Sequence, residues 1–222
     1  MLQSKLSPSL MCADLMHLGR ELKILEQNGI EYLHLDVMDG VFVPNYMLGT
    51  DFVKRVKDAC SIPLDLHLMV TNPEEKLSWF AFGEGDYVSF HYEASSDPVR
   101  GIRTIRERGA KPMLVIKPET PISVLEEFLP LLDGVLVMTV RPGFAGQKMI
   151  PETLDKIHDL RQWLDSLGLD DVEIECDGNV SFENARKMRE AGANIFVVGS
   201  SGIYAKGNSV EENVKILRRK IL

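Results

Sequence analysis

The sequence predicts an α/β fold, a closed (β/α)₈ (TIM) barrel formed by a single domain over residues 1–222. Eight short apolar runs alternate with amphipathic stretches along the whole chain. One strand with its helix takes about 28 residues on average, close to the roughly 30 that a βαβ unit needs. No low-complexity linker interrupts the series. An open, doubly wound sheet is the alternative fold.

The predicted strands are the apolar runs, each bounded by turn residues. They are Lys5–Leu10, Tyr32–Met38, Leu64–Val70, Tyr87–Tyr92, Pro112–Lys117, Gly134–Val140, Val172–Asp177 and Ile195–Gly199. In a parallel barrel, ligands bind at the carboxyl ends of the strands and in the loops that follow them.

The predicted helices carry apolar residues at helical spacing. Examples are Leu15, Leu18, Leu22 and Leu25, and then Leu154, Ile157, Leu160, Trp163 and Leu164. Asp97 and Ser181 are typical N-caps, and Pro121 suits a first helical turn. Glycine turns close helices and lead into strands at Asn28-Gly29, Glu84-Gly85-Asp86, Arg108-Gly109-Ala110 and Ala191-Gly192-Ala193.

Composition argues against two kinds of partner. The net charge of −8 disfavours nucleic acid, which attracts basic surfaces. No apolar run approaches the roughly 20 residues that span a bilayer, and the first residues do not resemble a signal peptide. Cys12, Cys60 and Cys176 lack metal-type spacing, which is typical of reduced thiols. We therefore expect a cytoplasmic protein without a nucleic-acid or membrane partner.

The second predicted strand carries ionisable groups on its inner face. Leu33, Leu35 and Val37 form an apolar face that must meet the outer helices, so His34 and Asp36 point into the barrel. Burying an unpaired carboxylate is costly unless a cation or a donor compensates it.

The same alternation predicts that further side chains point into the barrel. They are His67 and Asp65 of the third strand, and Asp177 and Glu175 of the seventh. His34, Asp36, His67 and Asp177 then form a plausible site for one divalent ion, Zn²⁺, Mn²⁺, Fe²⁺, Co²⁺ or Mg²⁺. A hydrogen-bonded polar layer without metal is the alternative. His91 ends the fourth strand with its side chain inward, beside either a ligand or the substrate.

Three loops at the carboxyl ends of neighbouring strands are rich in glycine, which lets backbone N–H groups approach an anion closely. Loops after the seventh and eighth strands are the common phosphate site of this architecture. The residues predicted to bind a phosphate here are Gly143, Phe144, Ala145, Gly146, Gly178, Asn179, Gly199, Ser200 and Ser201.

Several long motifs resemble the ribulose-phosphate 3-epimerase family, in order from about Leu6 to Gly202. They are Ser7-Pro8-Ser9-Leu10, Leu35-Asp36-Val37-Met38-Asp39-Gly40, Phe42-Val43-Pro44-Asn45, Leu66-His67-Leu68-Met69-Val70, Pro142-Gly143-Phe144-Ala145-Gly146-Gln147 and Asp177-Gly178. The resemblance implies a ribulose-phosphate-binding barrel, commonly a homo-oligomer, that inverts C3 of a ketose phosphate with one bound metal ion.

The resemblance also implies residue roles. His34, Asp36, His67 and Asp177 correspond to the metal ligands, and Asp36 and Asp177 to the acid and base that transfer the C3 proton through an enediolate. Ser9 and His67 correspond to substrate contacts. Met11, Met38, Met69 and Met138 fall near strand ends, where they either form an apolar wall of the pocket or only fill the core.

Some positions resemble the D-allulose-6-phosphate 3-epimerase branch of that family instead of its pentulose-phosphate members. They include Ala145, Asn179, Ser201-Gly202, Ser9-Leu10-Met11-Cys12, Met138-Thr139-Val140 and Ile150-Pro151-Glu152-Thr153-Leu154-Asp155-Lys156. Arg141 matches neither branch. The expected substrate is D-allulose 6-phosphate or D-ribulose 5-phosphate, with these features favouring the former. A metal-dependent sugar-phosphate phosphohydrolase and a non-catalytic sugar-phosphate sensor are the alternative functions.

Overall fold

The computed structural model describes residues 2–222. Its strands are β1 (Lys5–Pro8), β2 (Leu33–Asp39), β3 (Tyr46–Met47), β4 (Leu64–Met69), β5 (Tyr87–His91), β6 (Lys111–Ile116), β7 (Gly134–Met138), β8 (Glu173–Asp177) and β9 (Ile195–Val198). Its α-helices are α1 (Leu18–Gln27), α2 (Thr50–Ala59), α3 (Pro73–Lys76), α4 (Pro98–Glu107), α5 (Thr153–Ser166), α6 (Phe182–Ala191) and α7 (Val210–Ile221).

Eight of the strands form a closed parallel barrel. The sheet runs β1-β9-β8-β7-β6-β5-β4-β2, and the short β3 pairs antiparallel with the end of β2. The seam between β1 and β2 is closed by the hydrogen bond from Tyr32 N to Leu6 O, 3.3 Å, and by a parallel bridge between Ser9 and His34. The predicted (β/α)₈ barrel is confirmed, and the open sheet is wrong.

The two faces of each strand are as alternation predicts. Leu33, Leu35 and Val37 of β2 are buried in the large apolar core between the barrel and its helices. A smaller apolar cluster, which includes Met113 and Leu136, fills the inside of the barrel. The interior of the barrel therefore contains both this apolar cluster and the polar side chains of β2, β4 and β8.

The predicted helix caps are also found. The Asp97 side chain accepts a hydrogen bond from Arg100 N at the start of α4, and Ser181 accepts one from Asn184 N at the start of α6. Each cap satisfies a backbone N–H that has no partner within its helix. These helices begin directly after the loops of the carboxyl-terminal face, so their caps fix where those loops end.

Two helix predictions, at Pro121 and at Leu15, are wrong in detail. Pro121 precedes a 3₁₀-helix, Ile122–Leu125, and a second one, Leu129–Leu131, follows before β7. An α-helix is disfavoured there because Pro130 lacks an N–H and its ring would clash with the preceding turn. Leu15 also lies in a 3₁₀ turn, Leu15–His17, ahead of α1.

The turn at Glu84-Gly85-Asp86 has the predicted left-handed glycine, with φ +87° at Gly85, but it does not close a helix. The chain before it is irregular after the 3₁₀-helix Leu77–Trp79. Arg108 donates hydrogen bonds to the carbonyl oxygens of Leu77 and Phe80, at 2.8 and 2.7 Å. That guanidinium replaces the partners that helical N–H groups would have supplied. Strand ends differ from prediction by at most two residues; Leu10, for example, begins a 3₁₀-helix instead of ending β1.

Candidate metal centre and substrate pocket

Four side chains from three strands converge at the carboxyl end of the barrel. His34 and Asp36 lie on β2, His67 on β4 and Asp177 at the end of β8. One potential ligand atom from each lies within 4.8 Å of all the others. His34 Nε2 is 3.4 Å from Asp36 Oδ1 and 4.0 Å from Asp177 Oδ2. His67 Nδ1 is 3.7 Å from Asp36 Oδ1 and 3.8 Å from Asp177 Oδ2.

These separations suit a bound ion. Ligand atoms arranged tetrahedrally at about 2.0–2.1 Å from a metal lie roughly 3.3 Å from one another. The four separations given above are longer, at 3.4–4.0 Å, so the side chains would have to move inward to hold one ion. The structure thus assembles the four residues that the sequence placed together.

The hydrogen bonding of the two imidazoles provides an independent test of fit. His34 Nε2 and His67 Nδ1, the two ring nitrogens that face the centre, are buried without a hydrogen-bond partner among the described residues. The opposite nitrogens are engaged, His34 Nδ1 with Asp65 Oδ2 at 2.6 Å and His67 Nε2 with His91 Nε2 at 3.1 Å. An unpartnered buried nitrogen is costly, and a coordinated cation removes that cost.

The two carboxylates of the centre differ in proton affinity. Burial opposes ionisation of Asp36, but His34 and His67 outweigh it and hold the pKa of Asp36 below its usual value. The Ser9 hydroxyl also donates to Asp36 Oδ2 at 2.6 Å. Burial, with the charge of Asp36, raises the pKa of Asp177 to about 6. The pair therefore combines one readily ionised carboxyl with one that readily carries a proton.

A further polar layer lies beneath the centre. Asp65 accepts the His34 ring proton and also the Ser7 hydroxyl, at 2.7 Å. Glu175 lies 3.5 Å from His34 Nδ1, and its burial and the neighbouring Asp65 raise its pKa well above the usual value. The sequence placed Asp65 inside without assigning it a partner. The available signal was the register of the parallel pair β2–β4, in which His34 stands opposite Asp65.

A cleft opens above the centre at the carboxyl end of the barrel. Its lining includes every predicted substrate-binding residue except His67: Ser9, Gly143, Phe144, Ala145, Gly146, Gly178, Asn179, Gly199, Ser200 and Ser201. Asp36, Asp177, Met11, Met38, Met69 and Met138 line it too. His67 and His91 do not, and His91 contacts His67 instead of the cleft.

One glycine in this cleft, Gly178, is required by close approach. A Cβ on Gly178, whose φ is +120°, would lie 2.8 Å from Val140 N. Asn179 adopts a left-handed conformation with φ +50°, as expected for the non-glycine residue that best tolerates it. Its side chain donates to Ser201 Oγ at 3.1 Å, so the loops after β8 and β9 are tied together.

The rim of the cleft includes residues that the sequence had not assigned. Cys12 and Arg141 line it, and Arg141 is the one Lys or Arg among the lining residues. The loop after β7 is held by Gln147, which donates to the carbonyl oxygens of Arg141 and Phe144 at 2.6 and 2.8 Å. The backbone of Arg141 is therefore held in place, and its charge lies at an otherwise acidic or neutral opening.

Comparison with known proteins identifies the family. Residues 5–204 match the model of the ribulose-phosphate 3 epimerase family. The chain belongs to this family. A ribulose-phosphate 3-epimerase of Bacillus subtilis is 43% identical over 204 residues, covering 92% of this chain and 94% of that protein. The chloroplastic ribulose-5-phosphate-3-epimerase of Arabidopsis thaliana is 41% identical over 202 residues, covering 90% and 72%.

Solved structures that resemble this epimerase share the fold. A 3-hexulose-6-phosphate synthase of Salmonella typhimurium superposes with a TM-score of 0.69 at 14% identity, covering 98% of both chains. An N-(5'-phosphoribosyl)anthranilate isomerase of Pyrococcus furiosus gives a TM-score of 0.63, also at 14% identity, covering 99% of this chain and 98% of that one. The family assignment makes the chain an isomerase of the epimerase class. No helix within residues 2–222 has the length and apolar character needed to cross a membrane.

Proposed function

We propose that this protein is a metal-dependent 3-epimerase of a ketose phosphate. The observation that carries the proposal is the pair Asp36 and Asp177. They reach the floor of one cleft from β2 and β8. The neighbouring histidines lower the pKa of Asp36, whereas burial and the charge of Asp36 raise that of Asp177. Inverting a carbon next to a carbonyl requires a base on one face of the substrate and an acid on the other.

The metal is proposed to be held by His34, Asp36, His67 and Asp177. The two unpartnered ring nitrogens support this assignment because they have no other function in the fold. A divalent ion held there would supply positive charge against the C2 and C3 oxygens of the substrate as negative charge develops. Its identity is open among Zn²⁺, Mn²⁺, Fe²⁺, Co²⁺ and Mg²⁺, since imidazole and carboxylate suit several of these.

The proton transfer is assigned to the two aspartates. Asp36, whose pKa is held low, takes the C3 proton in the direction from ribulose to xylulose phosphate or from allulose to fructose phosphate. Asp177, whose pKa is raised to about 6, delivers a proton to the opposite face. The roles exchange in the reverse direction. Ser9 holds Asp36 in place through its 2.6 Å hydrogen bond, and Met38 and Met69, both buried, exclude water from the reacting carbon.

The phosphate end of the substrate is proposed to lie at the three glycine-rich loops. Backbone N–H groups there can bind a dianion although the chain is acidic overall. Arg141 adds the one full positive charge of the lining. These loops follow β7, β8 and β9, whereas three of the four proposed ligands lie on β2 and β4. This arrangement supports chemistry on the sugar, and a phosphohydrolase or a non-catalytic sensor is not favoured.

The choice of sugar rests on the loops. The names of the relatives favour D-ribulose 5-phosphate, while Ala145, Asn179 and Ser201 favour D-allulose 6-phosphate. We propose the hexulose phosphate as the better substrate because these three residues, which resemble the allulose branch, all line the cleft. The homo-oligomer and the cytoplasmic location stay predictions.

The decisive experiment compares kcat/KM for the two sugar phosphates and follows deuterium incorporation at C3 from heavy water. Asp36→Asn and Asp177→Asn are expected to abolish turnover. Asp133→Asn serves as the matched control, because Asp133 precedes β7 at the end of the barrel away from the cleft. Full activity of either active-site variant contradicts the two-base scheme. Turnover that survives exhaustive chelation, in protein shown by elemental analysis to contain no metal, contradicts the metal assignment.

A further inference from the structure

A buried histidine and a glutamate stand behind one imidazole of the proposed metal centre. His67 Nε2 lies 3.1 Å from His91 Nε2, and His91 Nδ1 lies 3.2 Å from Glu93 Oε2. Both histidines are fully buried, and neither lines the substrate cleft. The three side chains form one line from the centre to the loop after β5.

The direction of the hydrogen bonds in this line is set by Glu93. Its Oε1 accepts from the backbone N–H of Lys117 at 2.8 Å and from the Thr120 hydroxyl. A carboxylate that accepts these hydrogens also accepts at Oε2, so His91 donates from Nδ1–H. A neutral His91 then has its lone pair on Nε2, where it accepts the Nε2–H of His67.

The consequence reaches the centre itself. With its proton on Nε2, His67 has a free lone pair on Nδ1, the atom that faces Asp36 and Asp177 at 3.7 and 3.8 Å. With the other tautomer, an N–H would point at the ion and coordination through Nδ1 would be impossible.

We propose that His91 and Glu93 are positioning residues that hold His67 in the one tautomer able to bind the metal. The metal part rests on the proposed function, but the tautomer is a property of the chain itself. The two imidazoles of the centre are then oriented by carboxylates in different ways. Asp65 contacts His34 directly, whereas Glu93 acts on His67 through a second histidine.

The rings are also held in place mechanically. Phe42 packs against His91 with ring centroids 4.7 Å apart, and Lys117 Nζ lies 4.2 Å from the centroid of the Phe42 ring. Lys156 Nζ donates to the carbonyl oxygens of Lys117, Pro118 and Thr120, which fixes the loop that supplies the donors to Glu93. This packing restricts rotation of the His91 ring, so the ring cannot readily exchange the positions of its donor and acceptor nitrogens.

The test is Glu93→Gln, which keeps the shape of the side chain. The amide oxygen can retain the Lys117 N–H, and the amide NH₂ then faces His91 and donates to Nδ1. His91 then carries its proton on Nε2 and donates it to His67 Nε2. His67 is therefore expected to carry its own proton on Nδ1. Nitrogen-15 NMR of the metal-free protein at neutral pH reads the tautomer of His67 directly. Zn²⁺ titration by calorimetry should show affinity about 10–100-fold weaker than in the unchanged protein.

Two control variants distinguish an effect on the His67 tautomer from a general destabilisation of the loop after β5. Thr120→Val removes another donor to Glu93 but leaves its charge, and Glu74→Gln changes a buried carboxylate that contacts only Ser95 and Ser96 by side-chain hydrogen bonds. Both should keep the His67 tautomer and bind Zn²⁺ within about threefold of the unchanged protein.

An unchanged His67 tautomer in Glu93→Gln overturns the proposal, and so does an equal loss of Zn²⁺ affinity in Glu93→Gln and Thr120→Val. If the unchanged protein binds no Zn²⁺ or other divalent ion, the proposed metal-dependent function fails. The NMR comparison still decides the relay in that case.

Discussion

Replacing Gly178 by alanine tests how closely the substrate loops are packed. An added Cβ would lie 2.6 Å from Val140 Cγ2, 2.8 Å from Val140 N and 2.9 Å from Thr139 Oγ1, at a φ of +120°. The left-handed conformation costs an alanine roughly 1–3 kcal/mol. Overpacking against a backbone atom adds about 1–3 kcal/mol, because that atom cannot rotate away. The expected loss in the free energy of unfolding is roughly 2–6 kcal/mol.

Gly168→Ala provides the matched control. Gly168 also has a positive φ, +68°, but no atom lies within 4 Å of its added Cβ. Its cost is therefore only the conformational part, roughly 1–3 kcal/mol. At this chain length the two variants should differ in Tm by on the order of 5–10 °C.

The assay is thermal unfolding combined with KM for the sugar phosphate. Gly178→Ala should also raise KM, since the loop must move away from the cleft to relieve the contact. Equal destabilisation of the two variants would refute the close approach. A destabilised Gly178→Ala protein with unchanged KM would refute the role of this loop in binding substrate.

Three further predictions follow from charges at the centre and rim. Divalent-metal affinity should fall as pH drops through about 6, because protonation of Asp177 removes the negative charge that favours a bound cation. Calorimetric titration at pH values either side checks this, and a flat profile contradicts it. Ser9→Ala should raise the pKa of Asp36 and lower kcat about tenfold, since a hydrogen bond to a carboxylate is lost; a pH–rate profile with an unmoved acid limb argues against it. Arg141→Gln should raise KM about threefold and weaken its salt dependence with little change in kcat, whereas Lys148→Gln, which does not line the cleft, should do neither.

The inward direction of His34, Asp36, His67 and Asp177 could be predicted because strand alternation is a local property. An apolar face on one side of β2 leaves only one direction for the other face. The glycine-rich loops were recognisable for a similar reason, since Gly178 and Asn179 have conformations that few other residues adopt.

Contacts between elements were harder to predict. Whether Asp65 meets His34 depends on the register of β2 against β4, which neither strand specifies alone. Glu93 lies beyond the end of β5, and its contact with His91 depends on the path of the chain after the strand. The 3₁₀ segments before β7 depend on prolines that weaken a helical pattern without removing its apolar spacing.

Closure of the barrel through β1 has a consequence for synthesis on the ribosome. β1 pairs with β9, whose last residue is Val198, so the first strand emerges long before one of its two neighbours exists. Asp177 also emerges after β2 and β4, which carry the other three residues of the centre. A nascent chain therefore carries an open sheet edge and an incomplete centre until β8 and β9 have been made. Chaperones would act on that edge-exposed intermediate, since the barrel closes only once β9 has emerged.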